Sequence, residues 1–134
     1  IGNNYYANRG WSGRGSTVHP DSEGYAGHLI AMDIDSGEIL WRHSMATRPR
    51  SAALTTGGGL VFLGGRDFRA FHAWSGRLLW QIRTNYGRTG VPTSYAVNGV
   101  QYIAVQSGAQ PLQGHGVDAP RDGLVWAFAL DCQC

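Results

Sequence analysis

All eleven strongly basic residues of this chain are Arg, and none is Lys. A guanidinium stays charged and offers a planar fork that pairs two oxygens at once, so an Arg facing a ligand suits a carboxylate or another anion. Arg48 and Arg50, in Thr47-Arg48-Pro49-Arg50, and Arg88, in Tyr86-Gly87-Arg88-Thr89-Gly90, lie in turn-rich sequence of the kind that carries such sites. A solvated structural arginine is the competing reading at each, and the sequence leaves both open. Five histidines stand at 19, 28, 43, 72 and 115 with no pair at metal-ligand spacing, so each reads as a surface or hydrogen-bonded residue. A Ser-His-Asp set can be assembled on paper but has no weight without geometry. Cys132 and Cys134 close the chain as Cys-Gln-Cys, which supplies too few ligands for a zinc site and reads as terminal thiols or one disulfide.

Composition narrows what could position these groups. The 134 residues allow one domain, and with 43% apolar and 15% charged residues the chain can bury a core. A net charge of +2 with no basic run or stripe argues against nucleic acid. No stretch approaches the roughly 20 apolar residues of a membrane helix. Twenty glycines against five prolines point to tight turns between short strands.

An internal repeat organises those strands. Ala31 to Trp41 aligns with Ala70 to Trp80, the Ala, Ser-Gly, Leu and Trp recurring 39 residues apart. Gly59-Leu60-Val61-Phe62-Leu63 aligns with Gly99-Val100-Gln101-Tyr102-Ile103, 40 residues on, and Trp126-Ala127-Phe128 echoes Arg69-Ala70-Phe71. A period of about 40 residues is that of a four-stranded propeller blade. Strands are expected near 26–33, 38–43, 51–56, 59–64, 67–73, 77–83, 92–97, 100–106 and 123–130, divided by Ser-Gly, Gly-Gly and Asn-Gly turns that need positive φ. Trp41 and Trp80 then fall on the outer strands of successive blades, as structural rings packed between neighbours.

The expected fold class is therefore all-β, a portion of a β-propeller. With strands A to D counted from the axis outward, residues 44–83 hold one complete blade. Residues 1–43 end the blade before it, with a polar loop at 7–24, and residues 84–134 begin the blade after it, with a long loop at 107–122. One whole and two partial blades cannot close a ring of about four to eight. The remaining blades are expected from a larger partner chain or a missing segment, the chain being a C-terminal portion of one processed precursor. Strand directions alternate, so the D-to-A and B-to-C connections share one end of the ring, where propellers carry ligands. That end receives 44–50 with Arg48 and Arg50, the turn at Arg66 and Asp67, 84–91 with Asn85, Tyr86 and Arg88, and 107–122. Strand A being innermost, Arg50 and Ser51 are expected closest to the axis.

The pattern Ala-x-Asp-x-x-Ser-Gly-x-x-x-Trp, complete at 31–41 and with His72 for the Asp at 70–80, resembles the tryptophan-docking motif of the eight-bladed quinoprotein dehydrogenases. Thr55 to Phe62 and Pro92 to Val105 are similar to the C-terminal blades of the alcohol and glucose dehydrogenases that use pyrroloquinoline quinone (PQQ). The resemblance implies oxidation of an alcohol or sugar, hydride passing to the quinone and electrons leaving to a cytochrome c or to ubiquinone. It also implies a calcium or lanthanide ion held by the partner portion and a periplasmic or secreted location. Metal ligands and the catalytic Asp belong to earlier blades of the family, and none of this chain's nine carboxylates matches them, so no catalytic or metal residue is assigned here.

Two departures matter. Arg50-Ser51-Ala52 stands where the alcohol dehydrogenases have a Trp-Gly-Gly that touches the quinone, and Gln110-Pro111-Leu112 interrupts a glycine-rich stretch beside the cofactor. Cofactor contacts are accordingly expected from Arg50, Ser51, Gly108 and Ala109, and ligand-face contacts from Arg48, Arg88 and His115. The Arg substitution also admits a quinone-free enzyme resembling the tetrathionate hydrolases. A non-catalytic scaffold resembling the outer-membrane assembly lipoproteins shares the docking motif. The blade count predicts that the isolated chain, examined by sedimentation velocity, self-associates through its unpaired sheet edges; a compact, folded monomer is the opposite result.

Overall fold

The computed structural model describes residues 23–47, 51–84, 89–108 and 123–130. Every regular element among them is a strand: β1 (Gly27–Met32), β2 (Ile39–Met45), β3 (Ala53–Thr55), β4 (Leu60–Leu63), β5 (Asp67–His72), β6 (Leu78–Arg83), β7 (Thr93–Val97), β8 (Val100–Gly108) and β9 (Gly123–Leu130). They form three antiparallel meanders, β1-β2, β3-β4-β5-β6 and β7-β8-β9. All nine expected strands are present. The first inner strand corrects its expected bounds: β3 runs from Ala53 to Thr55, and Ser51 lies before the ladder with its side chain bonded to the Gly90 carbonyl.

Local chemistry repeats with the sequence. Asn98 and Gly99 have φ of 50° and 81° between paired Val97 and Val100, the two-residue hairpin that Asn-Gly favours. Gly37 and Gly76 both have positive φ, and each amide closes a turn on the carbonyl four residues back, Asp33 or His72. The residue opening each turn also braces it by side chain. Asp33 Oδ1 accepts from the Ser36 amide at 2.8 Å and from Ser36 Oγ at 2.9 Å. At the equivalent site His72 Nδ1 lies 2.9 Å from Ser75 Oγ and accepts from the Ser75 amide at 3.3 Å. An imidazole thus replaces the carboxylate without losing the turn.

Alternation along β4 and β5 drives the packing, because successive side chains leave opposite faces. Phe62, Phe68 and Ala70 join Ile103 and Val105 in one buried cluster between the second and third sheets. Val61, Leu63 and Phe71 join Met45 in another between the second and first. The second sheet is therefore covered on both faces, with Phe68 and Phe71 fully buried. The flanking sheets each leave apolar side chains in solvent, among them Met32 and Leu40 on one and Val97 and Val125 on the other.

Trp41 joins the first two sheets by a directed contact. Its Nε1 donates to the Ala73 carbonyl at 2.7 Å, and its ring fills the space where a Gly76 side chain would stand, 2.5–2.8 Å from an ideal Cβ. Trp80 occupies the matching strand of the second sheet, edge-on to Phe128 of the third at 5.0 Å between ring centroids. At Gly37, the counterpart of Gly76, no described atom comes within 4 Å of an ideal Cβ, and neighbouring Ile34 is 95% exposed.

Gly76→Ala is expected to cost about 2–4 kcal/mol by urea denaturation, combining the positive-φ penalty with overpacking against the indole. Gly99→Ala, with the same backbone requirement but open space, isolates the conformational part at about 1 kcal/mol.

Candidate functional site

The start of β3, the turn after β4, the segment before β7 and the end of β8 meet at one end of the second and third sheets. Ser51 Oγ donates across the seam to the Gly90 carbonyl at 2.7 Å. Thr89, 4% exposed, accepts at Oγ1 from the Gly65 amide at 2.8 Å and pairs through its backbone with Ser107 of β8. Gly90 donates to the Gln106 carbonyl at 2.6 Å. Ser107, with no exposed surface, accepts from Trp126 Nε1 at 3.0 Å.

Glycine makes this convergence possible. A Cβ at Gly64 would collide with Thr89 Oγ1 and lie 2.6 Å from Ser51 Oγ, so the absence of a side chain lets both hydroxyls close on the turn. At Gly108 no described atom comes within 4 Å of an ideal Cβ.

Charge at this end is partly committed. Asp67 accepts from Arg83 Nε at 3.1 Å and from Arg69 at 3.3 Å, occupying both carboxylate oxygens, while Arg66 beside it is exposed. Nearby, His43 of β2 packs on Phe71 with ring centroids 4.8 Å apart. Burial, and then the Arg69 charge, hold its pKa below the ordinary 6.5.

Of the residues expected to face a ligand, Ser51 and Gly108 belong to this junction, flanking Thr89 and Gly90. Arg48, Arg50, Arg88, Ala109 and His115 lie outside the described residues, as do Asn85, Tyr86, Cys132, Cys134 and the 7–22 part of the N-terminal loop. Sequence reasoning passed over Thr89, Ser107 and Gly64. The available signal was position: Thr89 and Ser107 lie within the connections 84–91 and 107–122, and Gly64 lies two residues before the turn at Arg66 and Asp67.

Residues 26–103 match the family described as glucose/ethanol/alcohol dehydrogenase, β-propeller domain. The chain belongs to that family. Among relatives of this propeller chain, the quinoprotein alcohol dehydrogenase PedH of Pseudomonas putida is 37% identical over 90% of the chain and 22% of its own length. The quinohemoprotein alcohol dehydrogenase of Comamonas testosteroni is 31% identical over 78% of the chain and 15% of its own. In structure, a europium-containing methanol dehydrogenase superposes with a TM-score of 0.58 at 30% identity, covering 64% of the chain and 16% of that protein. The chain thus spans about a fifth of the length of such relatives and covers part of a propeller ring. No helix among the described residues is long and apolar enough to cross a membrane.

The depressed His43 pKa sets a direction for pH dependence. The stability it contributes is fully present above about 6.5 and is lost as pH falls through the lowered folded value, because the unfolded chain takes up a proton the folded ring resists. Urea midpoints measured from pH 7.5 down to 5.5 are expected to fall, and His43→Gln to flatten that fall.

Proposed function

We propose that this chain is the C-terminal part of a periplasmic or secreted PQQ-dependent dehydrogenase that oxidises an alcohol or sugar, with its ligand at the junction of Ser51, Thr89 and Gly108. The other blades, and the calcium or lanthanide ion, belong to the remainder of the ring, whether a partner chain or another part of one processed precursor. The relatives named for quinoprotein alcohol oxidation support the reaction class, and a 1-butanol dehydrogenase of Thauera butanivorans named for cytochrome c supports that acceptor. A quinoprotein glucose dehydrogenase, 25% identical, keeps a sugar in view.

The observation that carries this reading is the family match over residues 26–103, on a chain whose ligand-facing candidates Ser51 and Gly108 meet at a glycine-rich, hydroxyl-tied junction. When bound, the quinone supplies the hydride acceptor. This chain's part is to hold and orient it: Gly108 and Ala109 by close backbone approach, and Arg50 by pairing its fork with a carboxylate of the quinone or of an anionic substrate. Arg48, Arg88 and His115 are assigned to the surrounding ligand face.

The Arg50-Ser51-Ala52 sequence also favours a second reading, a quinone-free enzyme on the same ring that binds an anionic substrate. The two differ in colour, as does a non-catalytic scaffold. In the complete protein supplied with quinone and calcium or a lanthanide, a near-ultraviolet and visible quinone absorption and alcohol-dependent cytochrome c reduction are expected. A colourless protein points to the quinone-free readings. Arg50→Ala is expected to raise the quinone concentration for half-reconstitution by about 10- to 100-fold, the loss of one charge-assisted pairing.

A further inference from the structure

We infer that Ser51, Thr89 and Ser107 are positioning residues: one hydrogen-bonded junction holds the stems of all three connections that carry the candidate ligand residues. The inference rests on the reading that this end of the ring holds the ligand. The placement of the stems carries it. Ser51 directly follows residues 48–50, Thr89 directly follows 85–88, and Ser107 and Gly108 directly precede 109–122. These three points are far apart in sequence, yet they are joined edge to edge. Ser51 Oγ reaches the Gly90 carbonyl, Thr89 Oγ1 holds the Gly65 amide, Thr89 bridges Ser107, and Ser107 Oγ is held in turn by Trp126 Nε1.

Apolar burial alone does not require this arrangement. The two hydrophobic clusters already hold the sheets together along their seams. Thr89 and Ser107 are nevertheless almost wholly buried, so they use their bonding capacity on the junction rather than on water. Hydrophobic contact is non-directional, whereas hydrogen bonds at 2.7–3.0 Å fix relative position to a fraction of an ångström. A ligand held by side chains from several connections needs that precision in their stems, since loosening one stem misplaces the groups of its neighbours. Ser51 directly follows Arg50, so the hydroxyl that ties this stem to the next blade stands next to the Arg assigned to the ligand.

The test uses the complete protein and three variants: Thr89→Val, which keeps shape but removes the acceptor, Thr89→Ser, which keeps it, and Ser51→Ala. Amide hydrogen exchange reads the junction without any ligand, and quinone titration reads its consequence. Thr89→Val is expected to speed exchange at Gly65 about tenfold, with faster exchange also at Gly90 and Gly108. Thr89→Val and Ser51→Ala are each expected to raise the quinone concentration for half-reconstitution about tenfold, and Thr89→Ser to behave as wild type in both measurements. Faster exchange confined to Gly65 overturns the inference, as does unchanged quinone half-saturation in both variants. Wild-type protein that takes up no quinone overturns the functional reading and the ligand-positioning role built on it, while the exchange measurement still decides whether one junction links the three stems.

Discussion

The indole of Trp41 sets the relation between the first two sheets, and much of the described structure is arranged to receive it. Its ring needs a flat seat, and its Nε1 needs an acceptor that β-ladder pairing has not consumed. Both come from the turn after β5: Gly76 offers the seat because it has no side chain, and Ala73 offers its carbonyl. The positive φ at Gly76 is what lets the turn close, so one residue meets a backbone and a packing requirement together. The brace beneath the turn is more tolerant. Asp33 and His72 occupy equivalent positions and both bond the following serine, since what the turn needs is an acceptor at that point rather than a charge.

Two kinds of adhesion divide the work between sheets. Along the seams, Phe62, Phe68, Ile103 and Val105 on one side and Met45, Val61 and Phe71 on the other supply burial in quantity. At the end where the inner strands begin, the chain changes to hydroxyls, glycines and backbone groups, which supply less burial and more direction. That division suits a propeller whose blades are interchangeable scaffolding and whose connections carry what is particular to the protein. The exposed apolar faces of the first and third sheets follow the same logic, for each repeats a pattern that the middle sheet buries on both sides.

The strands were legible in the sequence because each is a short apolar run bounded by turn residues with a backbone reason to be there, such as Asn98-Gly99 and Ser75-Gly76. The 39-residue repeat supplied their grouping into blades, since equivalent positions such as Trp41 and Trp80 must take equivalent places. The candidate site was legible only in outline. Topology brought the connections to one end and singled out Ser51 and Gly108, but it passed over Thr89 and Ser107. A threonine next to a glycine in a turn-rich segment looks like any other connecting residue. Its role depends on Gly65, 24 residues earlier, whose amide has no partner of its own in the ladder.

By itself, then, the sequence determined the quantities that depend on neighbours along the chain: strand positions, hairpin geometry, blade period and the incompleteness of the ring. Tertiary structure decided what depends on partners distant in sequence. It set the Ser51 hydroxyl on the Gly90 carbonyl across the seam, and it gathered three connection stems at one junction. The physical reason is that a strand is specified by alternation and turn chemistry within a few residues, whereas a hydrogen bond between blades exists only once packing has set the distance between them.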